Sequence, residues 1–437
     1  MSVEQSTRDV SAAIARMDEA TSGQNPRLPG VVSIAVARDG SPILSHASGN
    51  MKLGGESPMT LDSVFWIASC TKLLTGIACM QLVEQGKLAL DDAVGLDRLA
   101  PELKELNVLT RDSKGSYTLV PQERQITLRM LMTHTSGFGY AFDDIKLCDW
   151  ARPTGIDDFS GRREDVLLRP LVFQPGTGFQ YGVSIDWVGV IIERATKMTL
   201  QEYFQKYILA PLDIKDLAFN LTRDMKQRLA YMHQRAADGS LSVTDHLLRH
   251  ALVEPVYATN ESFCMGGCGC FGTPREYSKI LAMLLNNGTC PKTKAQILKS
   301  ETIQQMFTDQ IPQYPIYHND YCQSAKPTLA NSCPIIPKLG NPTDGWGLTF
   351  MLSHERSETG RAAGSASWEG LANLYWFADR VNGIAMIFAT QILPYGGELW
   401  TSLLPLPILT TCLDLEAVRH FQAIEKDVYE SCSLRTG

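Results

Sequence analysis

One hydroxyl and one amine stand three residues apart in a largely apolar run, Phe65-Trp66-Ile67-Ala68-Ser69-Cys70-Thr71-Lys72-Leu73-Leu74-Thr75-Gly76-Ile77-Ala78. Leu73, Leu74, Ile77, Ala78, Leu82 and Val83 recur at helical spacing and Gly86 supplies a stop, so the residues after Ser69 predict a mostly buried helix. Positions i and i+3 share a helix face, which sets Ser69 and Lys72 side by side in the first turn. A serine hydroxyl is a weak nucleophile until a base takes its proton. A lysine in apolar surroundings has its charged form disfavoured, so it can take or relay that proton. Free backbone N–H groups of a first helical turn can hold a developing oxyanion. The same spacing also suits a serine cap and a lysine whose stem lies along apolar surface, and Ser-x-x-Lys alone does not separate the two.

Two other groupings carry reactive side chains. Cys264, Cys268 and Cys270 fall within Cys-Met-Gly-Gly-Cys-Gly-Cys-Phe-Gly, but zinc needs a fourth ligand at suitable spacing and none stands nearby. Free thiols in a glycine-rich turn are the expectation, with no metal and no cofactor. His134 suggests a Ser-His pair, yet its place before Thr135-Ser136-Gly137 fits a buried histidine closing a short helix.

The elements that must position these groups follow from periodicity and turn chemistry. A polar N-terminal stretch, Met1 to Thr21, has helical spacing of Val10, Ile14 and Met17 and lacks the apolar core of a secretory signal. Val31 to Ala37 and Ile43 to Ala47 flank Asp39-Gly40 and predict a hairpin. From about Leu90 to Cys270 the chain reads as mainly helical, with Thr127 to His134 a short helix. Capping-box signatures stand at Thr199-x-x-Glu202 and Thr273-Pro274-Arg275-Glu276; Pro211 ends the first of their helices, and the second runs through Leu285 to a stop near Gly288. Residues 311–345 read as a long surface excursion, the kind of segment used as a lid. Strands return over Trp346–Ser353, Ala362–Trp368, Leu374–Ala378 and Ile384–Gln391, and a last amphipathic helix over about Leu409–Lys426. The expected architecture is α+β: an antiparallel sheet built from both ends of the chain, residues 1–90 and 291–437, flanked by terminal helices. An all-helical region, residues 91–290, is inserted, and a cleft between the two would hold the site.

Composition excludes several functions. The 437 residues carry a net charge of −7 with no basic block, which argues against nucleic acid or an anionic membrane as partner. No run of apolar residues is long enough to span a bilayer. Eleven cysteines, an odd number spread along the chain, fit a reducing cytoplasm better than a disulfide framework.

Three segments carry a family resemblance. Phe65-Trp66-Ile67-Ala68-Ser69-Cys70-Thr71-Lys72-Leu73 resembles the active-site helix of serine β-lactamases and penicillin-binding proteins, of the class C type. Ile126-Thr127-Leu128-Arg129-Met130-Leu131-Met132-Thr133-His134-Thr135-Ser136-Gly137 resembles a second marker of that family. Gln174-Pro175-Gly176-Thr177-Gly178-Phe179-Gln180-Tyr181-Gly182-Val183-Ser184 is similar to the segment whose tyrosine opens the family's second catalytic motif. The resemblance runs from about Pro29 to Gln391. Ala68 to Thr75 and Tyr181 to Trp187 bring the chain nearest to fungal esterases and acyltransferases, the transesterases of polyketide assembly among them.

The resemblance implies the β-lactamase-like fold and a set of roles. Ser69 would attack an acyl carbon, Lys72 and Tyr181 would share the general-base work, and the N–H groups of Ser69 and Leu371 would form the oxyanion hole. Trp368, Glu369, Gly370, Tyr140 and Trp346 would line the substrate. Taken singly, Tyr140, Trp150, Tyr321, Trp346 and Tyr375 are as well explained as core aromatics, and Tyr181 and Leu371 each have an ordinary structural alternative. Two departures bear on substrate. Val183 stands where class C β-lactamases carry an amide-binding Asn, and its side chain cannot hydrogen-bond. Trp368-Glu369-Gly370 replaces Lys-Thr-Gly, so a β-lactam carboxylate would meet no cation. The implied activity is transfer of an acyl group from a small-molecule ester or thioester donor, or one on an acyl carrier protein, to an alcohol. Ester hydrolysis by the same intermediate is the alternative, and a catalytically idle binding protein is a third reading.

Overall fold

The computed structural model describes residues 9–249, 252, 263–312, 324–331, 344–396 and 416–433. The chain starts with helix α1 (Ser11–Thr21) and strands β1 (Gly30–Ala37) and β2 (Pro42–Gly49), the expected hairpin. Short strand β3 (Phe65–Trp66) leads into a 3-10 turn, Ala68–Cys70, and then helix α2 (Thr71–Glu84). Ser69 therefore sits on the tight turn before α2 and not within its first α-helical turn, a correction that leaves the three-residue spacing intact. Gly86 follows the helix at φ 68°, a left-handed stop that glycine takes without steric cost.

The middle of the chain holds α3 (Ala93–Leu99), β4 (Asn107–Arg111), β5 (Tyr117–Pro121), α4 (Leu128–Met132), α5 (Ile145–Trp150), α6 (Arg163–Leu167), α7 (Ser184–Thr196) and α8 (Leu200–Phe204). Then come β6 (Leu217–Ala218), α9 (Arg223–Gln227), β7 (Met232–Arg235), β8 (Leu241–Thr244), β9 (Phe271–Gly272) and α10 (Pro274–Leu285). The expectation of an all-helical insert is corrected here. β4 and β5 form a hairpin around Asp112, whose carboxylate accepts from the Lys114 and Ser116 amides, and β7 pairs with β8. Those Asp-centred turns satisfy their own backbone locally. Thr199 and Glu202 form the full capping box, while Thr273 caps Glu276 in one direction only. The Glu276 carboxylate is drawn instead to the Lys215 amide and the Lys279 ammonium.

The last part supplies α11 (Ser300–Met306), β10 (Asp344–Trp346), β11 (Met351–Ser353), β12 (Ala366–Gly370), β13 (Leu374–Asp379), β14 (Ile384–Ala389), β15 (Ile392–Leu393) and α12 (Glu416–Ser433). The stretch read as one strand, Trp346–Ser353, is a hairpin of β10 and β11. The strand expected at Ala362 begins at Ala366, because the Ala362 amide is held by the Asp379 carboxylate and Gly364 turns at φ 81°. The last helix runs on to Ser433, past its expected end, and the part of that expectation before residue 416 falls outside the described residues, as does most of 311–345.

The main sheet is antiparallel in the order β10-β11-β12-β13-β14-β1-β2, so both ends of the chain meet where β14 pairs with β1. Period-2 alternation divides its side chains between two cores. Leu374, Trp376 and Ala378 join Ile387 and Val32 in the core that holds α2, α7 and α10. Tyr375, Phe377 and Phe388 pack with Met17, Phe421 and Val428 beneath the terminal helices. With both faces covered, β13 and β14 are buried at every position, which explains their nearly unbroken apolar sequence. Among the described residues no helix is long and apolar enough to cross a membrane.

Candidate active site

Ser69 is placed by a sharp change of direction. The Ile67 amide donates to the Cys270 carbonyl at 3.0 Å, ending the pairing of β3, and Ala68 then adopts φ 45°. A left-handed alanine costs free energy that the surrounding packing must supply. It lifts the Ser69 hydroxyl clear of a helix whose residues Thr71 to Leu82 are all buried. The ammonium of Lys72, fully buried, donates to the Ser69 hydroxyl at 3.0 Å, the Tyr140 hydroxyl at 3.1 Å and the Gly267 carbonyl at 2.8 Å. Each of its three N–H groups thus has an acceptor. It also lies 4.5 Å from the centre of the Tyr181 ring. Burial pushes the Lys72 pKa down to about 8, against the opposing pull of the Asp186 carboxylate.

Tyr181 reaches the same serine from the segment before α7. A side chain at Gly182 would lie 2.5 Å from the Phe138 carbonyl, so glycine lets this segment run directly against the Ser136–Gly139 turn. The Ser136 and Ser184 hydroxyls join there at 2.9 Å. The Tyr181 hydroxyl accepts from the Trp368 indole N–H at 3.0 Å and lies close enough to Ser69 for the serine hydroxyl to act on its ionisation. Burial holds the phenol well above its ordinary pKa, and the Ser69 hydroxyl and the Trp368 donor oppose that. Its ring sits among His134 at 4.7 Å, Trp368 at 4.9 Å and Tyr140 at 5.5 Å. Of the three segments that carried the family resemblance, the first and third meet around Ser69, and the second packs on the Tyr181 ring through His134.

The end of β12 closes the other side. A Cβ at Gly370 would meet the Ile67 carbonyl at 2.9 Å, so this strand can lie against the Ser69 turn only with glycine there. Leu371, the proposed second oxyanion donor, follows directly and is buried. Trp368 pairs across with Trp376 and faces the Ser69 side.

Several expected substrate contacts are placed differently. The Tyr140 phenol is buried, bound to Lys72 and stacked on Phe142. Trp346 is fully buried behind Trp368 and His134, with its indole N–H on the Met132 carbonyl, and so forms an inner wall. Glu369 pairs with Tyr375, whose ring belongs to the terminal-helix face; alternation sends its half-buried carboxyl away from Trp368. Burial pushes that carboxyl up to about 7. Tyr375 is core on the same far face, Trp150 lies at the surface of α5, and Tyr321 falls outside the described residues. His134 fits the structural reading. It is fully buried at φ 56°, accepts from the Gly182 amide through Nδ1, and is held well below its usual pKa by burial and by the Lys72 charge. Cys264, Cys268 and Cys270 are buried free thiols, and among the described residues no cluster of side chains could hold a metal.

Two groups escaped the sequence reading. Asp158 and Arg169 form a buried ion pair at 2.5 Å that clamps the Tyr140 loop: Asp158 accepts from the Ala141 and Phe142 amides, and Arg169 donates to the Gly139 carbonyl. Asp186 lies fully buried on α7. A lone carboxylate inside Ser184-Ile185-Asp186-Trp187-Val188-Gly189-Val190 was the available signal for it.

Comparison with known proteins follows the same lines. A family profile described as Beta-lactamase matches residues 15–399. A lovastatin esterase of Penicillium rubens is 33% identical over 397 residues, covering 86% of this chain and 92% of that protein. A monacolin J acid methylbutanoyltransferase of Aspergillus terreus is 33% identical over 347 residues, covering 78% and 79%. Among solved structures, a mutant of simvastatin synthase from Aspergillus terreus superposes with a TM-score of 0.76 at 28% identity, covering 99% of this chain and 100% of that one. A hydrolase with promiscuous acyltransferase activity shares the fold, with a TM-score of 0.65 at 18% identity.

Proposed function

The chain belongs to the β-lactamase family, and from that premise we propose that it is a serine acyltransferase, moving an acyl group through acyl-Ser69 to an alcohol of a polyketide natural product. The observation that carries this is the meeting of three groups: the fully buried Lys72 ammonium donates to the Ser69 hydroxyl at 3.0 Å and lies 4.5 Å from the centre of the Tyr181 ring.

In acylation, Ser69 Oγ attacks the carbonyl carbon of an ester or thioester while its proton passes to the Tyr181 oxygen and the phenol's own proton passes to the Lys72 amine, so that the pair shares the base work. The Ser69 and Leu371 amides hold the oxyanion; a donor of this kind is worth about 3–4 kcal/mol in the transition state. Collapse of the tetrahedral intermediate breaks the bond to the donor alcohol or thiol, which takes the proton back. The acceptor hydroxyl then repeats the sequence against acyl-Ser69, returning its proton to the departing serine. Trp368 in place of a cation and Val183 in place of an amide favour an uncharged acyl group over a β-lactam. The donor is a small ester or thioester, or a thioester on an acyl carrier protein, and the free thiols fit a cytoplasmic site.

A second reading is ester hydrolysis, favoured by the esterase among the relatives, with water replacing the alcohol. The two differ in how well the occupied site excludes water. Incubation with an acyl thioester and a saturating polyketide alcohol, followed by product analysis, tests them: the transferred ester is expected, and predominantly free acid rejects transfer. Intact-mass detection of acyl-Ser69, lost in Ser69→Ala, tests the intermediate common to both.

A further inference from the structure

The Cys264–Cys270 segment finds its use in its glycines. Gly266 and Gly267 thread between α2 and α7 too closely for side chains. A Cβ on Gly266 would meet the Ile185 carbonyl at 3.0 Å, and one on Gly267 would lie 2.3 Å from Asp186 Oδ2. The turn is held from both helices. Thr75 of α2 donates to the Gly266 carbonyl at 2.7 Å, and Asp186 of α7 accepts the Gly267 amide through Oδ1 at 2.9 Å. The carbonyl of that same Gly267 accepts from the Lys72 ammonium at 2.8 Å. One residue's amide and carbonyl thus connect a buried carboxylate to a buried ammonium. Asp186 Oδ2 has no hydrogen-bond partner among the described residues.

We propose that Asp186 is the counter-charge and positioning residue of Lys72. It sets how readily the amine holds its proton, and through Gly267 it aims that amine at Ser69. A buried ammonium without a compensating anion gives up its proton. The other groups facing Lys72 do not supply that anion. Tyr140 and Tyr181 are phenols held neutral by burial, as are the Cys70 and Cys268 thiols, and His134 is a neutral imidazole. Asp186 is the leading group whose charge favours the Lys72 ammonium; burial raises the pKa of its own carboxyl, and the Lys72 charge and the Gly267 amide oppose that rise. Arg169 acts on Asp186 in the same sense, but weakly, being committed to Asp158. The inference builds on the proton-carrying role given to Lys72 above, but the lysine titration and the unfolding comparison that test it do not depend on that role.

Asp186→Asn is the informative change, because an amide oxygen still accepts from Gly267 while the charge is gone. The Lys72 protonation midpoint is followed by NMR of ¹³Cε-labelled lysine, with Lys72→Met assigning the resonance. We expect the midpoint to fall by about one unit or more in Asp186→Asn; an unmoved midpoint overturns the proposal, whatever reaction the enzyme catalyses. The pH profile of fluorophosphonate labelling at Ser69 should move to lower pH in step. Should Asp186→Asn fold poorly, urea unfolding of Lys72→Met, Asp186→Asn and the double variant decides. The double variant should unfold at higher urea than Asp186→Asn alone, because no orphan charge remains. A double variant no more stable than that single one overturns the proposal.

Discussion

Replacing Trp368 by Phe separates wall from donor. The indole N–H donates to the Tyr181 oxygen at 3.0 Å, and the ring packs on Tyr181 at 4.9 Å and on Trp346 at 4.6 Å. Phenylalanine keeps most of that packing and loses the donor. If Tyr181 carries negative charge as Ser69 attacks, the lost bond is one to a charged acceptor, worth about 1.5–3 kcal/mol. At about 1.36 kcal/mol per decade this is about 10- to 150-fold in kcat/KM. The donor also opposes the upward effect of burial on the phenol, so its loss should move the pH profile to higher pH, opposite to the shift expected for Asp186→Asn. The assay is kcat/KM for a short-chain nitrophenyl ester from pH 6 to 10, in Trp368→Phe, Tyr181→Phe and the double variant. A donor acting only through the phenol costs nothing further once Tyr181 is Phe. Trp368→Phe within twofold of wild type at an unmoved profile, or an undiminished loss in the Tyr181→Phe background, would refute the reasoning.

Lys72→Ala and Tyr181→Phe should each lose at least about a hundredfold in kcat/KM; near-normal turnover in either removes that residue's role. Fluorophosphonate labelling of Ser69 should rise with pH through about 8, because burial lowers the Lys72 pKa and the amine form grows across that range; a flat rate between pH 6 and 9 contradicts this. Arg169→Met leaves the Asp158 carboxylate buried without its cation and should cost about 3–5 kcal/mol in urea unfolding. A loss under about 1 kcal/mol would mean the clamp on the Tyr140 loop contributes little.

What the sequence could show was local. The hairpin at Asp39-Gly40, the capping box at Thr199–Glu202 and the shared face of Ser69 and Lys72 each depend on a few neighbouring residues, whose geometry backbone sterics dictate. Where tertiary contacts compete, local rules gave the wrong detail. Glu276 leaves its reciprocal capping role for Lys215 and Lys279, and a presumed strand is a hairpin at Gly347, where a side chain would lie 2.2 Å from the Met306 carbonyl. The β4–β5 hairpin was visible in Asp112 and Gly115, but the helical context obscured it.

The sequence alone determined that a serine and a lysine share one face at the start of a buried helix, and that the strands come from both ends of the chain. Only the tertiary structure decided what surrounds that pair. Gly267 lies 195 residues from Lys72, and Trp368 lies 187 residues from Tyr181. It also gave Tyr140 the Lys72 ammonium as a partner and paired Glu369 with Tyr375 across the sheet. The physical reason is that spacing fixes direction only within an element. Which carbonyl, carboxylate or indole meets a buried amine depends on how whole elements pack, and there the cost of leaving a polar group unpaired selects the partner.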